Sequence, residues 1–89
     1  MARRDMLDIE GSHAASSSDG AGALYHLGVM HCNGRSSEPD LVAAHKWFNL
    51  AALRGHEQAL QYRTEIAREM TNEEISAAQR EARKWMLTH

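Results

Sequence analysis

The stretch Asp40–Gly55, reading DLVAAHKWFNLAALRG, decides the fold. Ala44, Phe48 and Ala51 recur at steps of four and three, which puts them on one face of a helix. Leu41 and Trp47 widen that face and Ala52 continues it. The small alanines let a second helix come close, while each aromatic ring can hide roughly 150–250 Å² of surface. Gly55 stands where a left-handed helix terminus is wanted, and Arg54 lies beside the negative end of the helix dipole. The stretch therefore predicts an amphipathic core helix over about 40–54.

Working outward, Ala21 to Asn33 predicts a helix before it. Leu24, Leu27, Gly28 and His31 share a face there. A mid-helix glycine costs about 1 kcal/mol relative to alanine. Its simplest explanation is a neighbour pressed against bare backbone, and the Ala44/Ala51 face is the expected neighbour. Asn33-Gly34 marks a stop. Pro39 keeps Glu38 out of the helical region and suits the first turn of the next helix, and Asp40 favours its positive end. Downstream, Ala59, Tyr62, Ile66 and Met70 predict a third helix over about 57–70, with Glu65 and Arg68 spaced as an exposed ion pair. Thr71 to Glu74 reads as a capping box that forces a break. A fourth helix follows over about 72–87, burying Ile75, Ala78, Ala82 and Trp85/Met86.

Before all of this, residues 1–20 read as a flexible tail. Its SHAASSSDG run has no periodicity and too little apolar surface to offset chain entropy. Met6, Leu7 and Ile9 form a small apolar cluster that could dock on the domain or a partner. Ser17, Ser18 or Asp19 can cap the first helix.

Composition narrows the function classes. At 89 residues the chain holds one small domain with a thin core. Net charge is −2 with both signs interspersed, so no basic stripe offers a phosphate footprint and nucleic acid is not expected. No run approaches the length of a membrane span. A single cysteine allows no internal disulfide, and the start lacks the apolar run of a secretory signal, so a cytoplasmic location is expected.

Two pieces of the chain match each other. Ala44-His45-Lys46-Trp47-Phe48 resembles Ala82-Arg83-Lys84-Trp85-Met86 at an offset of 38, and Ala23-Leu24 matches Ala59-Leu60 at an offset of 36. Such a period, with two helices per unit, indicates stacked helical hairpins. At this point the sequence resembles the Sel1-like repeats, relatives of the tetratricopeptide repeats. Ala23, Leu27, Gly28, Gly34, Asp40, Ala44, Trp47, Phe48, Ala51, Ala52, Gly55 and Ala59 fall in order at the places of that family's unit. His31 stands where the family carries tyrosine, and Ser36 and Ser37 replace the glycine and apolar residue of its loop. The stretch as a whole is similar to short bacterial proteins of this type. The expected fold class is all-α: two stacked antiparallel hairpins, a fragment of an α-solenoid over residues 21–89.

The resemblance implies an adaptor that binds another protein or peptide, not an enzyme. In related arrays the first helix of each hairpin lines the concave face. The strip beside the core of the first helix is then Tyr25, Val29 and Cys32, with Asn33 near its end. The matching strip of the third helix is Gln58, Gln61, Glu65 and Arg68. These residues are the expected partner-binding set. Two hairpins are fewer than such cores usually need. The fourth helix, with Gln79, Arg80, Arg83 and Lys84 on its flank, could act as a cap, or the chain could self-associate as a homodimer.

The chemistry-bearing residues give little else. His13, His26, His31, His45, His56, His89 and Cys32 show no zinc spacing, so neither a metal nor another cofactor is expected beyond incidental capture by His31 and Cys32. Consecutive helical residues diverge by about 100°, so His31 is poorly placed to activate Cys32 as a nucleophile. His31 is expected in the core or half-buried, and His45 as a packed or surface position. Arg80, Arg83 and Lys84 could meet an acidic partner, although Glu73, Glu74 and Glu81 offset them.

Overall fold

The helix around Trp47 is the middle of the molecule. The computed structural model describes residues 20–34 and 38–89. They form four helices, α1 (Ala21–Asn33), α2 (Leu41–Leu53), α3 (Glu57–Ala67) and α4 (Asn72–Thr88), with no strand among the described residues. α1 and α2 pack as the first hairpin, α3 and α4 follow as the second pair of helices, and α2 packs against each of the other three. The all-α stacked-hairpin architecture is the one the residue pattern predicts. The tail over 1–19, the candidate caps Ser17, Ser18 and Asp19, and Ser36 and Ser37 lie outside the described residues.

Local signals explain where each helix starts and stops. Gly20, in a left-handed conformation, precedes α1 without a side-chain cap hydrogen bond. Gly34, also left-handed, ends it and donates from its amide to the Met30 carbonyl. Asp40 is the cap of α2, accepting from the Ala43 amide at 3.0 Å. Pro39 therefore sits just outside the helix rather than in its first turn. α2 closes in a Schellman arrangement: the Gly55 amide donates to the Ala52 carbonyl and the His56 amide to that of Ala51. Gly55 has φ 94°, the left-handed backbone this closure needs. His56 then starts α3 by accepting from the Ala59 amide through Nδ1 at 3.1 Å. Thr71 and Glu74 form the full reciprocal box, at 3.1 and 2.9 Å.

α3 is shorter than its apolar spacing predicts. After Ala67 the chain tightens into i→i+3 hydrogen bonds through Met70, which remains buried although it is not helical. Glu65 and Arg68 do not form the ion pair their spacing allows; a pair of that kind joins Glu81 and Lys84 on α4 at 3.8 Å.

The core is built on α2. Ala44, Phe48 and Ala51 are fully buried, as their spacing predicts, and so is Leu50. Gly28 is pressed from α2 as expected, but the group that presses is the Phe48 ring rather than an alanine. Trp47 is half-buried on another side of α2, where it meets Trp85 of α4 edge to face at 5.9 Å. α4 buries Ala78 and Ala82, with Ile75 and Trp85 half-buried; Met86, expected on that face, is exposed. The helix rotation that turns Trp85 onto Trp47 turns its neighbour Met86 away.

Candidate partner-binding face

α1 and α3, the first helices of the two hairpins, are joined at Tyr25. Its ring stacks on His56 at 4.3 Å and lies 5.8 Å from Tyr62 of α3 and 5.9 Å from Phe48 of α2. Tyr62 in turn meets Phe48 edge to face at 5.6 Å. Aromatic pairs in these geometries contribute about 0.5–1.5 kcal/mol beyond their burial. The cluster ties α3 to α1 through side-chain rings, while α3 itself packs on α2.

The cluster also sorts the expected binding residues. Tyr25, Val29 and Cys32 are half-buried and packed against the core. Gln58 is buried, only 5 % exposed, and its Oε1 has no hydrogen-bond partner. Asn33, Gln61, Glu65 and Arg68 are exposed. The first set is packed inward and the second is open to solvent. His26 and Met30 are also exposed on α1, one helical turn apart. Periodicity assigned neither to this face, because the core pattern of α1 said nothing of where α3 would lie.

At the Asn33 end there is an open cavity of about 530 Å³ between His31, the 38–42 segment, Glu69 and Glu74. Two of its carboxylates already serve the backbone, Asp40 as the cap of α2 and Glu74 in the box that starts α4. Cys32 lies near this end. Burial first, and then the Glu69 carboxylate, push its thiol pKa above the ordinary value of 9.0, which disfavours the thiolate a nucleophile would need. Among the described residues no three His, Cys, Asp or Glu side chains come together as a metal-binding group. Among them, too, no helix is long and apolar enough to cross a membrane.

His45 departs from a plain helix position. It is only 4 % exposed, and Nδ1 has no hydrogen-bond partner. One turn on, Asn49 accepts a hydrogen bond from the Arg63 guanidinium of α3. Burial, and secondarily the Arg63 charge, lower the His45 pKa from its usual 6.5.

Residues 21–56, which span α1, α2 and the connection to α3, match the family model described as the Sel1 repeat. α3 and α4 lie beyond the matched residues. No curated protein and no solved structure matches the chain.

Proposed function

Because the chain carries a Sel1 repeat over residues 21–56, and such repeats generally mediate protein–protein interaction, we propose that it is an adaptor whose α1/α3 face takes a peptide or partner protein. The observation that carries this reading is the Tyr25–Tyr62 contact that ties α1 to α3, with Asn33 at the end of α1 and Gln61, Glu65 and Arg68 along α3 and its C-cap all exposed. In this reading Tyr25, Val29, Cys32 and Gln58 shape the face and the four exposed residues touch the partner. Binding is the task, with no catalytic step.

The test is affinity capture from native lysate with a double charge reversal, Glu65→Lys with Arg68→Glu. Both positions are exposed, so the variant is expected to keep its thermal midpoint while losing the captured partner. Equal capture by both proteins would overturn the assignment.

Self-association is a second reading, favoured by apolar exposure at one end of the molecule. Leu53 is 62 % exposed and Leu87 85 % exposed. The Arg54 guanidinium lies 5.3 Å from the Trp85 ring centroid, so the ends of α2 and α4 are neighbours. Light scattering over a dilution series tests this reading: a mass of 10.0 kDa throughout excludes it, and a doubled mass lost in Leu53→Ser/Leu87→Ser supports it.

A further inference from the structure

α3 is lightly buried, with Tyr62 and Ile66 half-buried against the core. Of its 11 residues only Gln58 and Ala59 are buried, and Gln58 is polar with an unpartnered oxygen. The other unpartnered buried polar atom among the described residues is Nδ1 of His45, and the charge of Arg63 on α3 bears on that ring. His45 and Asn49 are one turn apart on α2, and Arg63 of α3 reaches across to Asn49. The α2–α3 seam thus has an apolar part, where Tyr62 meets Phe48 and Ala59 joins the core, and a polar part at His45, Asn49 and Arg63. An unpartnered buried polar atom has an uncompensated desolvation cost, so this seam gains less than its area suggests.

α1 and α4 each pack on α2 through contacts that do not involve α3. α1 meets α2 through Gly28 against Phe48. α4 meets α2 through Trp85 against Trp47, with Ala78 and Ala82 buried. An element with few buried apolar residues and a partly polar seam is one that can open locally.

We propose that α3 is a proton-released element: in mild acid, charging of His45 undocks α3 from α2 while α1, α2 and α4 stay packed. A neutral imidazole fits the seam. An imidazolium there would be stripped of water and would face the Arg63 guanidinium, a like charge. Arg63 is the charged group that bears on His45 from α3, and among the described residues α1 and α4 contribute no charge that shifts it. Lys46, next to it on α2, is turned to the Trp47 ring, 4.1 Å from its centroid.

The direction of the pH effect follows. Docked His45 has a lowered pKa and released His45 returns to about 6.5, so release takes up a proton. Docking is at full strength above that value and weakens as pH falls below it, toward the lowered docked pKa. One proton can change the equilibrium by at most about tenfold per pH unit. Release would carry Gln61, Glu65 and Arg68 away from the α1 strip. That consequence rests on the proposed function, whereas the release does not.

Amide hydrogen exchange, corrected for intrinsic rates, tests the release with no partner present. Protection of the 60–67 amides is expected to fall by up to about tenfold per pH unit below 6.5, while α2 and α4 amides keep theirs. In His45→Gln, which stays neutral, protection should be flat across the range. The proposal is overturned if wild-type α3 protection is flat, if His45→Gln falls equally, or if α2 loses protection together with α3. Should His45→Gln fail to fold, Arg63→Gln replaces it: a shallower pH dependence supports the proposal and an unchanged one overturns it.

Discussion

Phe48 of α2 occupies the space that a side chain on residue 28 of α1 would need. A methyl group there would stand 2.5 Å from both Cδ1 and Cε1 of the ring. Glycine weakens an isolated helix by about 1 kcal/mol relative to alanine, so Gly28→Ala would stabilise α1 on its own. In the folded protein the clash outweighs that gain, because the ring is fully buried and has nowhere to move. Gly28→Ala is expected to destabilise the fold by about 1–3 kcal/mol. Urea denaturation of Gly28→Ala, and of Gly28→Ala with Phe48→Leu, is the measurement. The second change should recover part of the loss, and two additive losses would contradict the contact.

The break between α3 and α4 depends on a reciprocal pair. Thr71 Oγ1 accepts from the Glu74 amide, and Glu74 Oε1 accepts from the Thr71 amide. Thr71→Ala should cost about 1 kcal/mol, and Thr71→Ser should restore nearly all of it because the acceptor oxygen is kept. For a domain of this size a loss of that order lowers the melting midpoint by roughly 4–8 °C. Calorimetry on the two variants distinguishes a cap from a mere surface threonine, for which alanine and serine would behave alike.

His56 joins three structures at one residue: its amide closes α2, its Nδ1 opens α3, and its ring lies on Tyr25. His56→Asn keeps an acceptor for the Ala59 amide but loses the stack; His56→Ala loses both. The expected order of stability is wild type, then Asn, then Ala, with about 1 kcal/mol between the last two. Equal stability of the Asn and Ala variants in denaturant melts would show that the cap contributes nothing.

The first hairpin was legible in the sequence because its signals are local. Gly34, Asp40, Gly55 and the Ala44/Phe48/Ala51 ladder each act within a turn or two of chain, and the structure uses them all. The second hairpin was legible through its Thr71–Glu74 box. The misreadings concern helices covered on more than one side. A single apolar stripe accounts for the face of α2 that meets α1, but α2 is also covered by α3 and α4, so Leu50 is buried off that stripe, while His45, expected as a packed or surface position, is packed. Tyr25 and Gln58 were read as open positions for a related reason. Tyr25 is half-buried in its ring cluster with His56, Tyr62 and Phe48, a set of contacts between helices that no spacing rule expresses. Asn33, Gln61, Glu65 and Arg68 are exposed, as polar residues away from the apolar stripes should be.

Cys32 gives a chemical check on the packing of α1 against the core. Burial is the larger cause of its raised pKa and the Glu69 carboxylate the smaller. An ordinary thiol of pKa about 9.0 is already mostly protonated at pH 7.5, and Cys32 has still less thiolate. The folded pKa lies above the unfolded one, so this group favours folding up to about 9.0, and the advantage is lost as pH rises through the folded value. Alkylation by iodoacetamide at pH 7.5 should therefore be slower in the native protein than in urea, and should accelerate with pH beyond 9.0. Glu69→Gln removes the lesser cause and should speed the native reaction only modestly. A native rate equal to the unfolded one would mean that α1 does not hold Cys32 against its neighbours.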